Sequence, residues 1–570
     1  MIIDRVYTPG LAQVAYLVAD EAAGVAAVID PRRDIDAHIE WTVERGLRLE
    51  SIVETHVHAD FVSGARELAA ATGATIYASR RGEQEFPHHP LDDGDEVAVG
   101  RLRLRAFWTP GHTPEHLGYL LIDPAAGPDP IALFSGDVLF AGEIGRPDLL
   151  GEAQTQELVT QLYDTVVNRL SRLPDEVVVY PGHTAGSPCG KKIGDAPQTT
   201  IGQEKRVNYA FQARDKDAFV RVVMDGMPQP PAYYPVMKRV NKVGPALLHK
   251  LQDGAGLSAE EVTARLAVGA LVIDARSPEA FGAGHVPGAI SVGLGSSFAI
   301  WAGWLAPYDR DLILTLDDDE RFGEARTELR QIGLDRVAGY LAGGMSEWQA
   351  SGREVVTLPQ ITVRDLGSHL ADSQNGLVVL DVRDATEWAS GHVPGAVNRP
   401  VGEIAQDIEA PVPAADRVAV VCGTGYRSSI AASILQARGM PNVVNVTGGM
   451  GAWEEAGLPT THAPSAPVAF EITVAQFVRE QGTDETQLLD VREPDEWAEG
   501  HAPQAILIPL EELVIRRGEL DSARPVVTVC RSGRRSLTAA EILLEAGFRD
   551  VRSLAGGMVA WRDAGLPVER

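Results

Sequence analysis

The sequence predicts a multidomain α/β protein, with one large α/β sandwich followed by three small α/β domains. Its 570 residues are too many for one hydrophobic core, and chains of this length divide into domains of roughly 100–250 residues. In the N-terminal half, short apolar runs lead into glycines and metal-binding residue types. A sandwich that presents ligands from loops at one end of its strands gives this pattern. In the C-terminal half, one domain-sized pattern occurs three times.

The N-terminal half carries four ordered pieces of a candidate metal site. The segment Thr55–Phe61 reads T-H-V-H-A-D-F and contains His56, His58 and Asp60. Three further pieces each follow a strand-like apolar run and supply, in order, His112, Asp137 and His183. A single aspartate or histidine at a strand end is ordinarily structural. An H-x-H pair followed by three such pieces indicates a metal site.

This first segment resembles the T-H-x-H-x-D-H loop of the metallo-β-lactamase superfamily, whose dinuclear zinc hydrolases use the last histidine to hold the second metal. Phe61 stands at that position and cannot ligate. The resemblance therefore implies an αββα sandwich with one metal, as in the persulfide dioxygenase branch, whose single Fe(II) is held by two histidines and a carboxylate. The implied ligands are His56, His112 and Asp137. The implied orienting groups behind them are His58, Asp60 and His183.

Two further segments bear on the substrate. Glu143–Asp148 resembles the dioxygenase branch, in which the residue matching Arg146 helps to hold the thiol carrier; the alternative is an ion pair between Arg146 and Asp148. Cys189 follows His183 by six residues. It is either a buried loop thiol or a sulfur relay near the metal, with Lys191 or Lys192 helping to hold an anionic carrier.

The C-terminal half contains an internal repeat. Strand-ending Asp-x-Arg triplets begin at Asp274, Asp381 and Asp490, which are 107 and 109 residues apart. Each aspartate is followed eleven residues later by a histidine, and each unit closes with Gly-Gly-Met and a tryptophan. A period this long indicates one whole domain per repeat, and strands alternating with helical patterns indicate small α/β domains. The three units resemble rhodanese domains over their full length.

Two of the repeats carry a candidate nucleophile in a Cys-x4-Arg loop, namely Cys422 with Arg427 and Cys530 with Arg535. Each cysteine stands between a buried strand and a helix. Backbone N–H groups of such a loop and the helix N-terminus favour a thiolate or persulfide, which makes the sulfur a nucleophile. One strand-end cysteine is ordinarily a small buried hydrophobe. The repetition of the loop at the same register favours catalysis.

The three repeats are not equivalent. Arg531, Arg534 and Arg535 surround Cys530 as a cationic cradle for sulfite or thiosulfate, whereas Cys422 has Arg427 alone. We hypothesise that Cys530 faces inorganic donors and Cys422 faces thiol-borne or protein-borne sulfur. The first repeat has Leu316 at the catalytic position, followed by four acidic residues, which predicts an inactive domain that serves as a spacer, docking surface or dimer element. Gln504 replaces the glycine of the H-x-P-G-A turn in the third repeat and predicts an altered turn.

These patterns predict four domains and one extension. The segment 203–242, which contains four prolines, is expected to pack the first domain onto the second. The predicted domains are a metallo-β-lactamase-fold domain at 1–250, an inactive rhodanese-like domain at 251–356, and two rhodanese domains at 357–462 and 463–570.

Composition excludes several classes of partner. A formal net charge of −28 argues against nucleic acid and anionic membranes. No apolar stretch reaches the roughly 18 residues of a membrane span, and the N-terminus lacks the basic and apolar regions of a signal peptide. Three cysteines in a chain of this length predict a reducing cytoplasm and no disulfide framework.

The resemblance implies an enzyme that oxidises a low-molecular-weight thiol persulfide with oxygen to sulfite, and rhodanese domains that make or use thiosulfate in sulfide detoxification. Fusion would raise the effective concentration of sulfite at the transferase. Two alternatives stay open. One is a zinc-dependent thioester hydrolase of the hydroxyacylglutathione type; the other is a sulfur-carrier scaffold. The sequence leaves open the thiol carrier, the direction of sulfur transfer and whether the chain forms a homo-oligomer.

Overall fold

The protein forms two compact units in a computed structural model. One unit contains residues 1–383 and 396–458, and the other contains residues 384–395 and 459–570. None of the described helices has the length and apolar character needed to cross a bilayer. The structure describes residues 1–213, 215–227, 229–370, 376–406, 417–461, 470–474, 477–478, 486–522, 524–531, 533–546, 548 and 550–569.

Two six-stranded sheets form the N-terminal domain. In spatial order, the strands of the first sheet are Ile2–Thr8, Gln13–Asp20, Val25–Ile29, Arg48–Val53, Thr75–Ser79 and His89–Leu91. Those of the second are Thr199–Thr200, Val178–Pro181, Ala132–Gly136, Leu117–Ile122, Leu102–Trp108 and Glu96–Val99. The short pair Leu139–Phe140 and Glu143–Ile144 forms a separate hairpin.

The two sheets face each other across an apolar core. Alternate residues of the strands point into it, including Val14, Tyr16 and Leu104. The other face of each sheet is covered by helices, with Trp41 and Leu68 packed on the first sheet and Leu162 and Phe219 in the apolar cluster on the second. The sequence of layers is therefore αββα, as predicted. The covering helices are Asp36–Glu44 and Ala65–Thr72 on one side, and Glu152–Asp164, Ile201–Val207 and Lys216–Met224 on the other.

Each repeat of the C-terminal half contains a five-stranded parallel sheet. In spatial order, the first sheet contains Ala255–Leu257, Val337–Leu341, Leu312–Thr315, Leu271–Asp274 and Ile290–Ser291. The second contains Gln360–Thr362, Val443–Thr447, Arg417–Val421, Leu377–Asp381 and Val397–Asn398. The third contains Phe470–Ile472, Val551–Leu554, Val526–Val529, Gln487–Asp490 and Ile506–Leu507.

Helices connect these parallel strands, as the alternating pattern predicts. Those of the first repeat are Ala259–Ala267, Pro278–Ala283, Phe298–Leu305, Phe322–Gln331 and Gly344–Ala350. Those of the second are Val363–Leu370, Ala385–Ser390, Val401–Gln406, Tyr426–Ala437 and Gly449–Glu455. Among the described residues, those of the third are Pro494–Ala498, Leu513–Arg516, Arg534–Glu545 and Gly557–Asp563.

The repeated motifs are structural devices of this fold. In each Asp-x-Arg triplet the arginine pairs with the aspartate two residues earlier, at 2.6, 2.7 and 2.7 Å in the three repeats. The repeated histidine stacks on an aromatic ring four residues before it, with ring centroids 3.4–3.7 Å apart. In the first and third repeats the arginine also donates to the carbonyl oxygen of Gly284 or Gly500, which ties the strand end to the end of the following helix.

The second glycine of each Gly-Gly-Met motif is required by a close approach to the catalytic loop. A Cβ on Gly449 would lie 2.3 Å from the carbonyl oxygen of Cys422, and one on Gly557 would lie 2.2 Å from that of Cys530. Both glycines also have positive φ, at 55° and 54°, which favours glycine. The two motifs therefore hold the backbone of the cysteine loop in place.

The turn at Gln504 has the conformation of its counterparts. Gln504 has φ 63°, and Gly288 and Gly395 have φ 77° at the matching positions. The expectation of an altered turn was wrong, because glutamine adopts the left-handed backbone conformation here at a cost of roughly 1–2 kcal/mol.

The inactive rhodanese-like domain packs against both of its neighbours in the first unit. On one side, the extension helix Tyr234–Val243 contributes Met237 to an apolar core shared with Phe298 and Leu329 of that domain. On the other side, Ser291 contacts Ser429 at 3.0 Å between hydroxyl oxygens. The segment 203–242 was predicted to join the first two domains, and its last helix does pack between them.

Candidate metal centre and sulfur-transfer loops

His56, His112 and Asp137 lie together at the carboxyl ends of their strands. The Nε2 atoms of His56 and His112 are 3.9 and 3.7 Å from Oδ2 of Asp137, and all three residues are buried. These three atoms are buried without a hydrogen-bond partner. Unpaired buried polar atoms are costly, so their convergence fits a bound cation. The donor set of two imidazoles and one carboxylate suits a non-haem iron or zinc ion.

The opposite side of each candidate ligand is held by a hydrogen bond. Nδ1 of His56 lies 2.9 Å from the Thr55 hydroxyl oxygen, and Nδ1 of His112 lies 2.9 Å from the carbonyl oxygen of Arg146. Oδ1 of Asp137 lies 2.8 Å from Nδ1 of His183. These contacts orient Nε2 of each imidazole and Oδ2 of the carboxylate toward the common point.

The electrostatics keep both imidazoles neutral. Burial lowers the pKa of His56 and of His112 well below the usual range, and neighbouring imidazoles lower it further. A neutral imidazole has a lone pair on one ring nitrogen, so both side chains are ready to ligate without losing a proton. Since Nδ1 of His112 faces a carbonyl oxygen, it carries the proton and leaves Nε2 as the donor atom.

His183 and Asp60 are paired with each other. Nε2 of His183 lies 2.7 Å from Oδ2 of Asp60, so this imidazole bridges Asp60 and Asp137. Burial disfavours its charged form, but the two carboxylates outweigh burial and raise the pKa of His183 well above its usual range. Both ring nitrogens are therefore protonated and donate. His183 donates a hydrogen bond to Asp137, and its role as an orienting group stays a prediction.

Phe61 directly follows Asp60, and its ring centroid lies 4.4 Å from that of His58. Its side chain is 1 % exposed and belongs to the apolar core shared with the second domain. Asn241 of the extension helix donates hydrogen bonds to the carbonyl oxygens of Phe61 and His58 at 2.7 and 2.9 Å. The loop is therefore fixed with a buried apolar ring, which cannot ligate a metal, at position 61.

His58 points to a different cluster from that of the candidate ligands. Its Nε2 lies 3.2 Å from Oδ1 of Asp30, and Glu54 is the third member of the group. Burial alone would lower the pKa of His58, but Asp30 and Glu54 raise it to about 9. These carboxylates favour the protonated form of His58, and its Nε2 faces Asp30 and not the candidate ligands.

The guanidinium of Arg146 is bound by other groups of the protein. Its side chain is fully buried, its Nε and Nη2 donate to the two oxygens of Asp148 at 2.7 and 2.8 Å, and its Nη1 donates to the carbonyl oxygen of Pro188. This arrangement favours the ion-pair alternative over carrier binding. Its backbone also contacts His112 and Cys189, so Arg146 positions a candidate ligand and a buried thiol.

Cys189 lies beside the candidate metal centre as a thiol. Its ligand atom is grouped with those of Asp60 and His183, and its sulfur is 3.6 Å from the hydroxyl oxygen of Tyr234. Burial, reinforced by Asp60 and Asp137, raises the pKa of Cys189 well above its usual range. A thiol that stays protonated is a poor nucleophile, which favours the interpretation of Cys189 as a buried loop thiol.

Two groups near the centre were missed in the sequence. Lys238, on the extension helix, has a buried ammonium nitrogen without a hydrogen-bond partner, 3.9 Å from Oε1 of Glu115. Glu115 in turn accepts a hydrogen bond from the backbone N–H of Val57, between the two histidines of the first loop. The Lys238 charge lowers the pKa of both His56 and His112, so its field reaches the centre. A lysine in a proline-containing extension gives no sequence signal for this position.

The Cys422 loop closes around its sulfur as predicted. The backbone N–H of Gly425 donates to Sγ at 3.1 Å, and Sγ lies 3.4 Å from the hydroxyl oxygen of Ser428. The twelve-residue helix Tyr426–Ala437 begins directly after this glycine. Arg427 lies on its first turn. The N–H groups at this helix start favour negative charge on the sulfur.

In the Cys530 loop, one arginine of the predicted cationic cradle is paired with a carboxylate. Sγ of Cys530 lies 3.6 Å from the hydroxyl oxygen of Ser536. The guanidinium of Arg535 forms two 2.7 Å hydrogen bonds with the carboxylate of Glu496, so its charge is compensated. Arg531 is exposed, and the Arg534 side chain lies outside the described part of the structure. The cradle of three arginines around the sulfur therefore stays a prediction, in which Arg535 already has a carboxylate partner that is distant in sequence.

Leu316 occupies the cysteine position of the first repeat. It follows the strand Leu312–Thr315, and a Cβ on Gly344 would lie 3.1 Å from its carbonyl oxygen, as the matching glycines approach Cys422 and Cys530. Its side chain is buried. The side chain of Asp319 accepts a hydrogen bond from the N–H of Gly343. The loop therefore keeps the backbone contacts of its counterparts but has no nucleophile.

Comparison with protein families identifies both halves of the chain. Residues 8–183 match the metallo-beta-lactamase superfamily, and residues 258–351, 362–456 and 473–564 match the rhodanese-like domain. A hydroxyacylglutathione hydrolase of Gloeobacter violaceus is 40 % identical over 171 residues, which are 30 % of this chain and 62 % of the relative. The match thus spans less than two thirds of that relative's length.

Two further comparisons cover most of the matched protein. A probable metallo-hydrolase of Burkholderia pseudomallei is 31 % identical over 257 residues, 39 % of this chain and 84 % of that protein. A crystal structure of a metallo-beta-lactamase from Staphylococcus aureus is 33 % identical, with a TM-score of 0.54, and the match covers 60 % of this chain and 98 % of the solved chain. The chain therefore belongs to the metallo-β-lactamase superfamily, and its metallo-β-lactamase domain is followed by three rhodanese-like domains.

Proposed function

We propose that the N-terminal domain is a persulfide dioxygenase with one Fe(II), and that the Cys422 and Cys530 domains are sulfurtransferases. The observation that carries the proposal is the convergence of three buried ligand atoms that lack a hydrogen-bond partner. His56, His112 and Asp137 would hold the iron. His183 and Asp60 are hydrogen-bonded to each other, and Phe61, which cannot ligate, packs with its ring centroid 4.4 Å from that of His58. This arrangement favours one metal over two.

A bound Fe(II) supplies the dioxygen chemistry that no side chain can perform. The overall reaction is RSSH + O₂ + H₂O → RSH + SO₃²⁻ + 2H⁺, which transfers both oxygen atoms to the terminal sulfur. The chain's own residues orient the ligands through Thr55, the Arg146 carbonyl and His183.

The rhodanese-like domains would use the sulfite. A persulfide on Cys422 or Cys530 reacts with sulfite as Cys–S–S⁻ + SO₃²⁻ → Cys–S⁻ + S₂O₃²⁻, with the S–S bond of the cysteine broken and a new one formed. Carrying both activities on one chain raises the effective concentration of sulfite at the transferase. All three cysteines are free thiols, so we assign the reaction to a reducing cytoplasm.

Lys238 is a candidate anchor for the anionic persulfide. Its ammonium nitrogen is buried and lacks a hydrogen-bond partner, and Glu115 is the carboxylate beside it. A buried cation whose carboxylate partner lies 3.9 Å away, beyond hydrogen-bond distance, is only partly compensated and favours an anion that arrives with the substrate. A persulfide or carrier carboxylate would supply that charge.

The substitution Lys238→Met is expected to raise KM for the persulfide about tenfold or more, since a hydrogen bond to a charged group contributes about 1.5–3 kcal/mol. Iron content should not change, because Lys238 touches none of the ligands. The matched control is Lys242→Met, one turn later on the same helix, where the exposed ammonium pairs with Glu83. An unchanged KM in the Lys238 variant would contradict the anchoring role.

The proposed function is tested by oxygen uptake. Anaerobically purified protein is loaded with Fe(II) or Zn(II) and given glutathione persulfide, or a hydroxyacylglutathione thioester, the substrate class named for the Gloeobacter relative. We expect uptake near one oxygen per persulfide with iron, and no thioester hydrolysis with zinc.

The two outcomes separate the enzyme classes. Thioester hydrolysis by the zinc form without oxygen uptake by the iron form would establish a hydrolase and reject the dioxygenase. Full sulfurtransferase activity in a chain that binds neither metal would instead establish a sulfur-carrier scaffold.

A further inference from the structure

The inactive rhodanese-like domain and the Cys422 domain share a cleft, which we call the Cys422 cleft. Its volume is about 600 Å³. The inactive domain contributes the segment 293–297, Trp301, Asp317 and Arg321, and the Cys422 domain contributes Thr424, Tyr426 and Arg427. All of these residues lie in the first compact unit.

The contacts across this cleft are specific. The Tyr426 hydroxyl donates a hydrogen bond to the carbonyl oxygen of Gly293 at 2.9 Å, and Tyr426 belongs to the first turn of the helix that follows the Cys422 loop. Cys422 itself is fully buried and precedes Thr424 by two residues in the same loop. What enters the cleft is therefore selected by residues of both domains.

The size of the cleft argues against a small inorganic anion as its principal ligand. Pockets for organic ligands and cofactors have volumes of about 300–1,000 Å³, and this cleft is within that range. Its lining is mixed, with an indole from Trp301 and charged groups from Asp317 and Arg427. A carbon-containing ligand with its own charges would fill this space, whereas thiosulfate would leave most of it empty.

The charges in the cleft have opposite signs on opposite domains. Asp317 contributes an exposed carboxylate from the inactive loop, and Arg427 contributes a guanidinium from the Cys422 loop. The guanidinium of Arg321 is already bound by Glu324, with hydrogen bonds of 2.9 Å, so it does not neutralise Asp317 by contact. An exposed carboxylate on the wall of the cleft matches a ligand that carries an ammonium group.

We propose that the Cys422 cleft binds a low-molecular-weight persulfide whose carrier thiol bears an ammonium group, which Asp317 receives. This inference rests on the proposed role of Cys422 as a sulfur acceptor and gives the substrate class of that site. The inactive domain thereby serves as the specificity element of its neighbour. The four acidic residues that make its own loop unsuitable for a persulfide include the one that selects the carrier.

The transfer step involves only Cys422 and the persulfide as reactants. The Cys422 thiolate attacks the terminal sulfur of R–S–SH, and a new S–S bond forms on Cys422. The carrier S–S bond breaks, its electron pair leaves with the carrier as R–S⁻, and the proton stays on the transferred sulfur. No external oxidant or reductant is needed.

The test uses the full chain with Cys530→Ser, without oxygen, so that only Cys422 transfers sulfur. Thiocyanate formation from cyanide is measured with cysteine persulfide, with 3-mercaptopropionate persulfide, which lacks the ammonium group, and with thiosulfate. Asp317→Asn should raise KM for cysteine persulfide about fivefold, the upper range for a partly exposed ion pair. Asp317→Lys should raise it further and lower KM for the two donors that lack an ammonium group.

The matched control is Glu320→Lys, which changes the charge by the same amount in the same exposed loop but outside the residues that line the cleft. Donor preference should stay unchanged in this control. Equal effects of Asp317→Lys and Glu320→Lys, or an unchanged ratio between cysteine persulfide and 3-mercaptopropionate persulfide, would overturn the proposal. Failure of the underlying function looks different: no donor would then form thiocyanate through Cys422 in any variant.

Discussion

Replacing Asp137 with alanine is expected to remove the bound metal and to lower oxygen uptake by more than about 100-fold, since even partners behind metal ligands cost about 10- to 100-fold. Oδ2 of Asp137 faces Nε2 of both His56 and His112, at 3.9 and 3.7 Å. Removal of the carboxylate therefore leaves two neutral imidazoles with no charge to offset a dication. The measurements are iron content after dialysis and oxygen uptake with glutathione persulfide.

A second variant with a smaller expected effect distinguishes loss of a metal ligand from misfolding. His183→Gln keeps Asp137 but removes the imidazolium that bridges it to Asp60, so an intermediate loss of about 10- to 100-fold is expected. Thiosulfate:cyanide transfer through the rhodanese domains should be unchanged in both variants, and this activity serves as the folding control. Retention of iron and of full uptake in Asp137→Ala would contradict the assigned ligand set.

The candidate ligands could be identified from sequence because each one follows a strand. The sandwich brings the ends of several strands to one edge, so His56, His112 and Asp137 converge although 81 residues separate the first from the last. The rhodanese-like repeats could also be identified from sequence, since residues that the fold requires recur with the period of a whole domain. The pairing of each Asp-x-Arg triplet explains why that triplet recurs even in the inactive unit.

The charged partners could not be predicted in the same way. In the sequence, Arg146 and Arg535 both look like arginines available to a ligand. In the structure, Arg146 is buried and forms an ion pair with Asp148, and Arg535 forms one with Glu496, which is distant in sequence. Which arginine keeps its charge for a ligand depends on these pairings. Lys238 shows the converse, because only the packing of the extension helix brings its ammonium group toward the centre.

The role of the inactive domain also became visible only in three dimensions. Two of its residues at and after the end of the helix Phe322–Gln331 contact the metal-binding domain. Asp335 pairs with Arg33 at 3.0 Å, and the carbonyl oxygen of Gln331 accepts a hydrogen bond from the N–H of Val62, directly after Phe61. Its other side forms the Cys422 cleft. Among the functions expected for it, the structure favours a docking element that joins two candidate active sites.

Replacing both Cys422 and Cys530 with serine is expected to change the product of persulfide oxidation from thiosulfate to free sulfite. Serine cannot carry a sulfane sulfur, so thiosulfate formation should fall by at least about 1000-fold, the scale of losing a catalytic nucleophile. Oxygen uptake should persist, because neither cysteine belongs to the candidate metal centre. Sulfite and thiosulfate are quantified after a single load of glutathione persulfide.

The single variants test the division of labour between the two loops. Residues of the Cys422 loop line a cleft whose volume suits an organic ligand, so Cys422→Ser should mainly reduce transfer from thiol-borne persulfides. Cys530→Ser should mainly reduce transfer from thiosulfate, with exposed Arg531 as the cation beside its loop. Equal losses with both donors would contradict this division, and free sulfite from the unmutated chain would show that the two activities share a chain without being coupled.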